Sequence, residues 1–112
     1  MDHVAVVRAY YSALDEHDYP ALSDHLAPTF VHDRPDRTLD GRETFVSFMR
    51  DERPNKRTSH ELDEVYENGD GSELVVRGRL LGVDGERLFE FVDVHRFEGD
   101  VVAELRTFAR DD

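Results

Sequence analysis

Leu88-Phe89-Glu90-Phe91-Val92-Asp93-Val94-His95-Arg96-Phe97 alternates with a period of two, and Glu98-Gly99-Asp100 turns the chain back into Val101-Val102-Ala103-Glu104-Leu105-Arg106-Thr107-Phe108. This is the pattern of an antiparallel hairpin. If Phe89, Phe91 and Phe97 face a core, strict alternation sends Asp93 and His95 inward too. A turn at Gly99-Asp100 then sets Asp93 opposite Arg106 and His95 opposite Glu104, two complementary pairs. Polar groups on an inward face cost several kcal/mol unless partnered, so the pattern marks either a ligand cavity or a closed ladder of ion pairs.

Upstream of this hairpin, Thr58 to Glu67 and Glu73 to Val83 also read as strands, separated by Asn68-Gly69-Asp70-Gly71 and followed by the Asp84-Gly85 turn. Thr29 to Arg34 alternates and is closed by Pro35, as a short strand would be. Val4, Val7, Tyr11 and Leu14 are spaced as the apolar stripe of a helix. Asp18 with Pro20 behind it opens a second helix through Leu22 and Leu26, ending at Pro28. Asp40-Gly41-Arg42-Glu43 has the spacing of a capping box before a third helix striped by Phe45, Phe48 and Met49. Three N-terminal helices against one face of a curved, mostly antiparallel sheet make an α+β arrangement, and a strongly bent sheet leaves a conical space suited to a small molecule.

The 112 residues are enough for one domain, 1–112, with a modest core. There is no Cys, hence no disulfide framework, thiol nucleophile or thiolate metal site. Lys plus Arg number 14 against 26 Asp plus Glu, a formal charge of −12, which repels phosphate backbones and anionic membranes; nucleic acid and membrane are therefore not expected partners. Lys56 is the only lysine, and so acidic, lysine-poor a composition is of the kind adapted to high salt. No apolar stretch approaches the length of a membrane span, and Met1-Asp2-His3-Val4 lacks a basic region followed by an apolar run, so a cytoplasmic location is the expectation. His32, His60 and His95 lack the local spacing of metal ligands, and no Gly-rich phosphate loop or Gly-x-Ser-x-Gly elbow is present; neither a metal nor a cofactor is expected.

Several local words, taken in order, resemble a known family. Tyr10 with Leu14 and Asp18, Leu26-Ala27-Pro28 before the first strand, Gly41-Arg42-Glu43 at the third helix, and Val92-Asp93-Val94-His95-Arg96-Phe97 before the Gly99 hairpin are similar to SnoaL-like members of the nuclear transport factor 2-like superfamily, which includes the ketosteroid isomerases. The resemblance covers nearly the whole chain. It implies a cystatin-like cone, and it leaves activity open because the superfamily mixes isomerases, cyclases, dehydratases, hydrolases and binding modules.

Matched to the steroid isomerases, Tyr10 falls on the tyrosine that donates to the developing enolate, and Asp93 on its protonated aspartic acid partner. The position of the proton-abstracting carboxylate is held by Arg34, which cannot take a proton at neutral pH. His32, two residues earlier on the same strand face, is the substitute base. Catalytic roles therefore fall to Tyr10, His32 and Asp93, and ligand contacts to Arg34, His95, Glu104 and Arg106. His60 and Tyr66 share parity with Leu62 on the second strand, where both would line the wall.

The outward face of the last two strands, Val92, Val94, Val101, Ala103 and Leu105, is too apolar for water in such a chain and implies homodimerisation sheet to sheet. The functional expectation is a small-molecule pocket protein, doing cofactor-free isomerase or cyclase chemistry on a carbonyl compound. The alternative is a non-catalytic ligand-binding or dimerisation module whose interior charges form a structural ladder.

Overall fold

In a computed structural model, residues 2–53 and 55–110 are described. Helix α1 (His3–Glu16) starts where the Asp2 carboxylate accepts from the Val4 amide, and it buries Val6, Val7, Tyr10, Tyr11, Ala13 and Leu14. His17, in the left-handed conformation (φ 59°), ends it. Helix α2 (Tyr19–Asp24) is capped by Asp18, whose side chain accepts from the Ala21 amide, with Pro20 in the first turn. It stops short of Pro28, because Leu26 already belongs to β1 (Leu26–Asp33).

Strand β2 (Thr38–Asp40), absent from the sequence reading, folds back on β1 as an edge strand. Helix α3 (Arg42–Ser47) has Gly41 as its N-cap at φ 103°, without a side-chain cap, so the expected capping box does not form. A π-helical turn, Phe48–Glu52, continues it. Strands β3 (Ser59–Glu67), β4 (Glu73–Leu81), β5 (Arg87–Glu98) and β6 (Val101–Arg110) complete the chain.

The six strands form one sheet in the order β2-β1-β6-β5-β4-β3. All neighbours are antiparallel except β1 and β6, which run parallel. The core between helices and sheet includes fully buried Val7, Leu22, Leu26, Phe30, Phe45, Leu74, Val76, Val102 and Leu105, each contributing about 1.5–3 kcal/mol by leaving water. Gly78 is required by close approach: a Cβ there would lie 2.6 Å from the Glu61 carbonyl oxygen and 2.8 Å from the Phe91 ring. His3 ties the start of α1 to two turns, its ring nitrogens 2.7 and 2.9 Å from the carbonyl oxygens of Gly71 and Gly99, with the ring stacked on Phe97. Among the described residues no helix is long and apolar enough to cross a membrane.

Two bulges change which side chains point inward. On β6 the register runs Phe97↔Val102 but Arg96↔Glu104, so Ala103 is an extra residue. Beyond it the parity reverses. Asp93 lies opposite Thr107, and His95 opposite Leu105, instead of the expected Arg106 and Glu104. Glu104 and Arg106 stand on the outer face, where Glu104 pairs with Arg96 at 3.3 Å, and Leu105 is core at 1% exposure. On β3, Leu62↔Gly78 gives way to Glu64↔Arg77, leaving Asp63 extra; His60 lines the interior while Tyr66 is exposed on the other side.

Candidate active site

Four elements converge inside the cone. Helix α1 supplies Tyr10, Tyr11, Leu14 and Asp15; β1 supplies His32; β5 supplies Phe89, Phe91, Asp93 and His95; β6 supplies Thr107. Asp93 is the centre of a hydrogen-bonded chain. Thr107 Oγ1 donates to Asp93 Oδ1 at 2.6 Å, and Tyr11 Oη donates to Asp93 Oδ2 at 2.6 Å. Behind each hydroxyl stands an imidazole: His32 Nε2 is 2.8 Å from Thr107 Oγ1 and His95 Nε2 is 2.8 Å from Tyr11 Oη.

A hydroxyl carries one proton, and both protons are committed to Asp93. Each imidazole must then donate from Nε2, which leaves both Nδ1 atoms as bare acceptors. Those two Nδ1 atoms are buried and have no hydrogen-bond partner among the described residues.

Burial governs the ionisation of this group. It pushes the His32 imidazole down to about 3, helped by the nearby Arg34 guanidinium, and the His95 imidazole down to about 3. Asp93 is raised above the usual carboxylate range by the same desolvation, opposed by its bonds from Thr107 and Tyr11. Tyr10 and Tyr11 are both raised well above the ordinary phenol value by burial and by the neighbouring Asp93. The inward polar groups are thus neutral rings and hydroxyls gathered on one carboxylate, and the Asp93–Arg106 and His95–Glu104 pairs expected of an interior ladder are not formed.

Beside the chain opens a cavity of about 410 Å³, within the usual range of about 300–1,000 Å³ for small-molecule sites. Its walls are largely apolar, with Leu14, Met49, Leu80, Leu88, Phe89 and Phe91 prominent. Of the residues singled out by sequence, Tyr10, His32, Arg34 and Asp93 line it. His95 does not: it is fully buried behind Tyr11. Glu104 and Arg106 lie across the sheet.

Sequence reasoning placed His60 on the wall, where it lies, but missed the partner that fixes it. Asp15 Oδ1 accepts from His60 Nδ1 at 2.6 Å, and Asp15 Oδ2 accepts from the His60 amide at 3.0 Å. One carboxylate therefore fixes both the ring and the backbone of His60. The ring also packs against Tyr11 and Phe91, with centroids at 5.2 and 5.7 Å. With Nδ1 donating to Asp15, Nε2 keeps its lone pair, and among the described residues it has no hydrogen-bond partner. The available signal was Asp15 itself, a half-buried carboxylate one helical turn beyond the buried Tyr11. Its partner is 45 residues away on another element, which local spacing cannot reveal. Among the described residues no group of three His, Cys, Asp or Glu is arranged to hold a metal ion.

A few helices against a curved mixed sheet, closing on a polar-centred apolar cavity, define the nuclear transport factor 2-like, or cystatin-like, class. Within it the match is specific: the model of the SnoaL-like domain covers residues 7–105, and the chain belongs to that family.

Solved structures agree on the fold. A protein from Kribbella flavida, provisionally named a ketosteroid isomerase, superposes with a TM-score of 0.85 at 19% identity, covering 99% of this chain and 79% of that one. A provisionally named SnoaL-like polyketide cyclase from Jannaschia sp. CCS1 gives 0.80 at 18% identity, covering 96% and 85%. An NTF2-like protein of unknown function from Burkholderia pseudomallei gives 0.79 at 24% identity, covering 99% and 92%. Among curated proteins none matches the chain.

Proposed function

We propose that this chain is a cofactor-free acid–base enzyme of isomerase or cyclase type, acting on a carbonyl compound with an apolar skeleton. The observation that carries this reading is His60 on the wall of the cavity, with Asp15 holding its Nδ1. In the proposed reaction the C–H bond next to the carbonyl breaks, its proton passes to His60 Nε2, and the electron pair moves onto the carbonyl oxygen as an enolate. The imidazolium then returns the proton to the same or another carbon, so no further reactant is needed. Asp15 stabilises the imidazolium and holds its ring.

Tyr10, which lines the cavity, is the proposed donor to the enolate oxygen. Asp93 is assigned to the positioning of Tyr11 and Thr107, both of which already donate to it. His32 was the base expected from sequence. Its bond to Thr107 and its depressed basicity, about 3, favour a place in the supporting chain instead.

The test is solvent exchange. The purified protein, incubated in D₂O with cyclic ketones and β-keto esters, is expected to exchange α-protons of at least one of them faster than buffer does. Exchange at the buffer rate across the panel would sink the enzymatic reading in favour of a non-catalytic binding module. The second reading is supported by the closed chain from His32 to His95, in which every hydroxyl and both carboxylate oxygens already have partners.

A homodimer through the outer sheet face remains part of the proposal, with a composition revised by the bulge. Val92 and Val94 are half-buried there, and Phe108 is exposed at 52%, with the Arg106 guanidinium 5.7 Å from its ring centre. Sedimentation should report a dimer for the native chain, and Phe108→Asp should shift it to monomer; a native monomer at the same concentration would end this part of the proposal.

A further inference from the structure

Arg53 follows the π-helical turn, its amide donating to the Phe48 carbonyl at 2.8 Å, and its side chain lines the cavity. Its Nε and Nη2 are buried, and among the described residues neither has a hydrogen-bond partner. This is unusual in so acidic a chain. Arg34, Arg37, Arg50, Arg79, Arg87 and Arg96 each have a carboxylate partner. A guanidinium stays charged at any physiological pH, so two of its buried donors left empty represent a standing cost that a suitable acceptor would remove. Moreover, Nε–H and the Nη2–H on the same side form one edge of the fork, two parallel donors spaced for two oxygens of one anion.

The surroundings favour an anion here. Arg34 also lines the cavity and stacks over Phe48, its Cζ 5.1 Å from the ring centre. Asp36, the acid at this part of the wall, is held by Arg34 at 3.1 Å and Arg37 at 3.3 Å. Both Arg34 and Arg53 act on Tyr10 in the direction that favours its anion, against the larger effect of burial. Much of the remaining wall is apolar, with Leu14, Met49, Leu80, Leu88, Phe89 and Phe91, which suits a ring or chain carrying one charge better than a highly hydrated polyanion. A carboxylate presents two oxygens in one plane and is satisfied by one guanidinium edge; a phosphate has a third oxygen for which no further buried empty donor is at hand among the described residues.

We propose that the substrate carries a carboxylate, taken up side-on by Nε and Nη2 of Arg53 with Arg34 as the second cation, on an apolar skeleton that lies along the cavity. This deepens the acid–base reading and rests on it for the word substrate: the molecule is a keto acid, anchored at Arg53 while its carbonyl is presented to Tyr10 and His60.

The test is binding, so it can succeed or fail independently of any turnover. Calorimetric titration with 4-oxocyclohexanecarboxylate, its neutral carboxamide and cyclohexyl phosphate should give at least tenfold tighter binding of the carboxylate than of the carboxamide. Arg53→Gln should erase that preference, and Arg53→Lys, which keeps the charge and loses the fork, should retain only part of it. Circular dichroism establishes that both variants are folded. Equal affinity for acid and amide, tighter binding of the phosphate, or a preference that survives in folded Arg53→Gln would each overturn the proposal. Carboxylate preference without proton exchange would uphold it and remove the catalytic reading alone.

Discussion

Alanine at position 60 is expected to slow the α-proton exchange by about 10²–10⁴-fold, the usual contribution of a positioned general base. The size follows from what the change removes. His60 Nε2 is the acceptor of the transferred proton, and water admitted in its place would be a far weaker base without orientation. Asp15→Asn separates charge from geometry, because an amide oxygen can still accept from Nδ1–H while the negative charge that stabilises the imidazolium is gone. Its rate should fall between those of the native chain and His60→Ala. Exchange measured by proton NMR in folded His60→Ala within threefold of the native rate would eliminate His60 as base and return the role to another cavity residue.

Acid should unfold this protein well before its carboxylates are exhausted. His32 and His95 are held neutral in the fold, each near 3, against 6.5 for an unburied imidazole. Below pH 6.5 the unfolded chain takes up protons at both rings while the folded chain does not, so stability falls as pH falls, by up to about 1.4 kcal/mol per pH unit for each ring. Between pH 7.5 and 5 the two together remove about 4 kcal/mol, a large share of the roughly 5–15 kcal/mol typical of a domain. Asp93 works in the opposite sense, since its raised folded value lets the native state gain a proton first, but it is one group against two. Urea denaturation should show a clearly lower midpoint at pH 5 than at pH 7.5, and His95→Gln should show a shallower pH dependence on a lower baseline. Equal midpoints at the two pH values would contradict the burial of neutral imidazoles.

The large elements were legible because their signals are local. The stripe of α1, the Asp18 cap with Pro20, and the alternation of β3 to β6 each lie within one segment, and the structure follows them to within a few residues. Asp93 and His95 were read as inward on the same grounds, and they are buried at 5% and 0% exposure. Glu104, Arg106 and Tyr66 were misplaced for one shared reason. A bulge costs nothing that composition reveals, yet it inverts every side chain after it, and Ala103 and Asp63 are unremarkable residues for that position. Near the turn the expected pairing holds, as Phe97↔Val102 and Glu98↔Val101 show, and it fails only past Ala103. The helix expected through Leu26 failed differently: a run of Leu, Ala and Pro suits a helix end locally, but pairing of Leu26 with Val102 on β6 recruits it into the sheet. Tyr11 was passed over for its neighbour because both lie on the buried side of α1, and only the position of Asp93 in space decides which hydroxyl meets it.

The extra residue at position 103 also makes the lumen evolvable by length. Deleting one residue there while keeping the β5–β6 ladder would bring Glu104 and Arg106 into the cone and turn Leu105 and Thr107 out, exchanging a hydroxyl for a carboxylate and a guanidinium in one genetic step. Homologues that differ by a single codon in this hairpin could therefore share an outline and have unrelated interiors, so ungapped position matching is a poor guide to their chemistry.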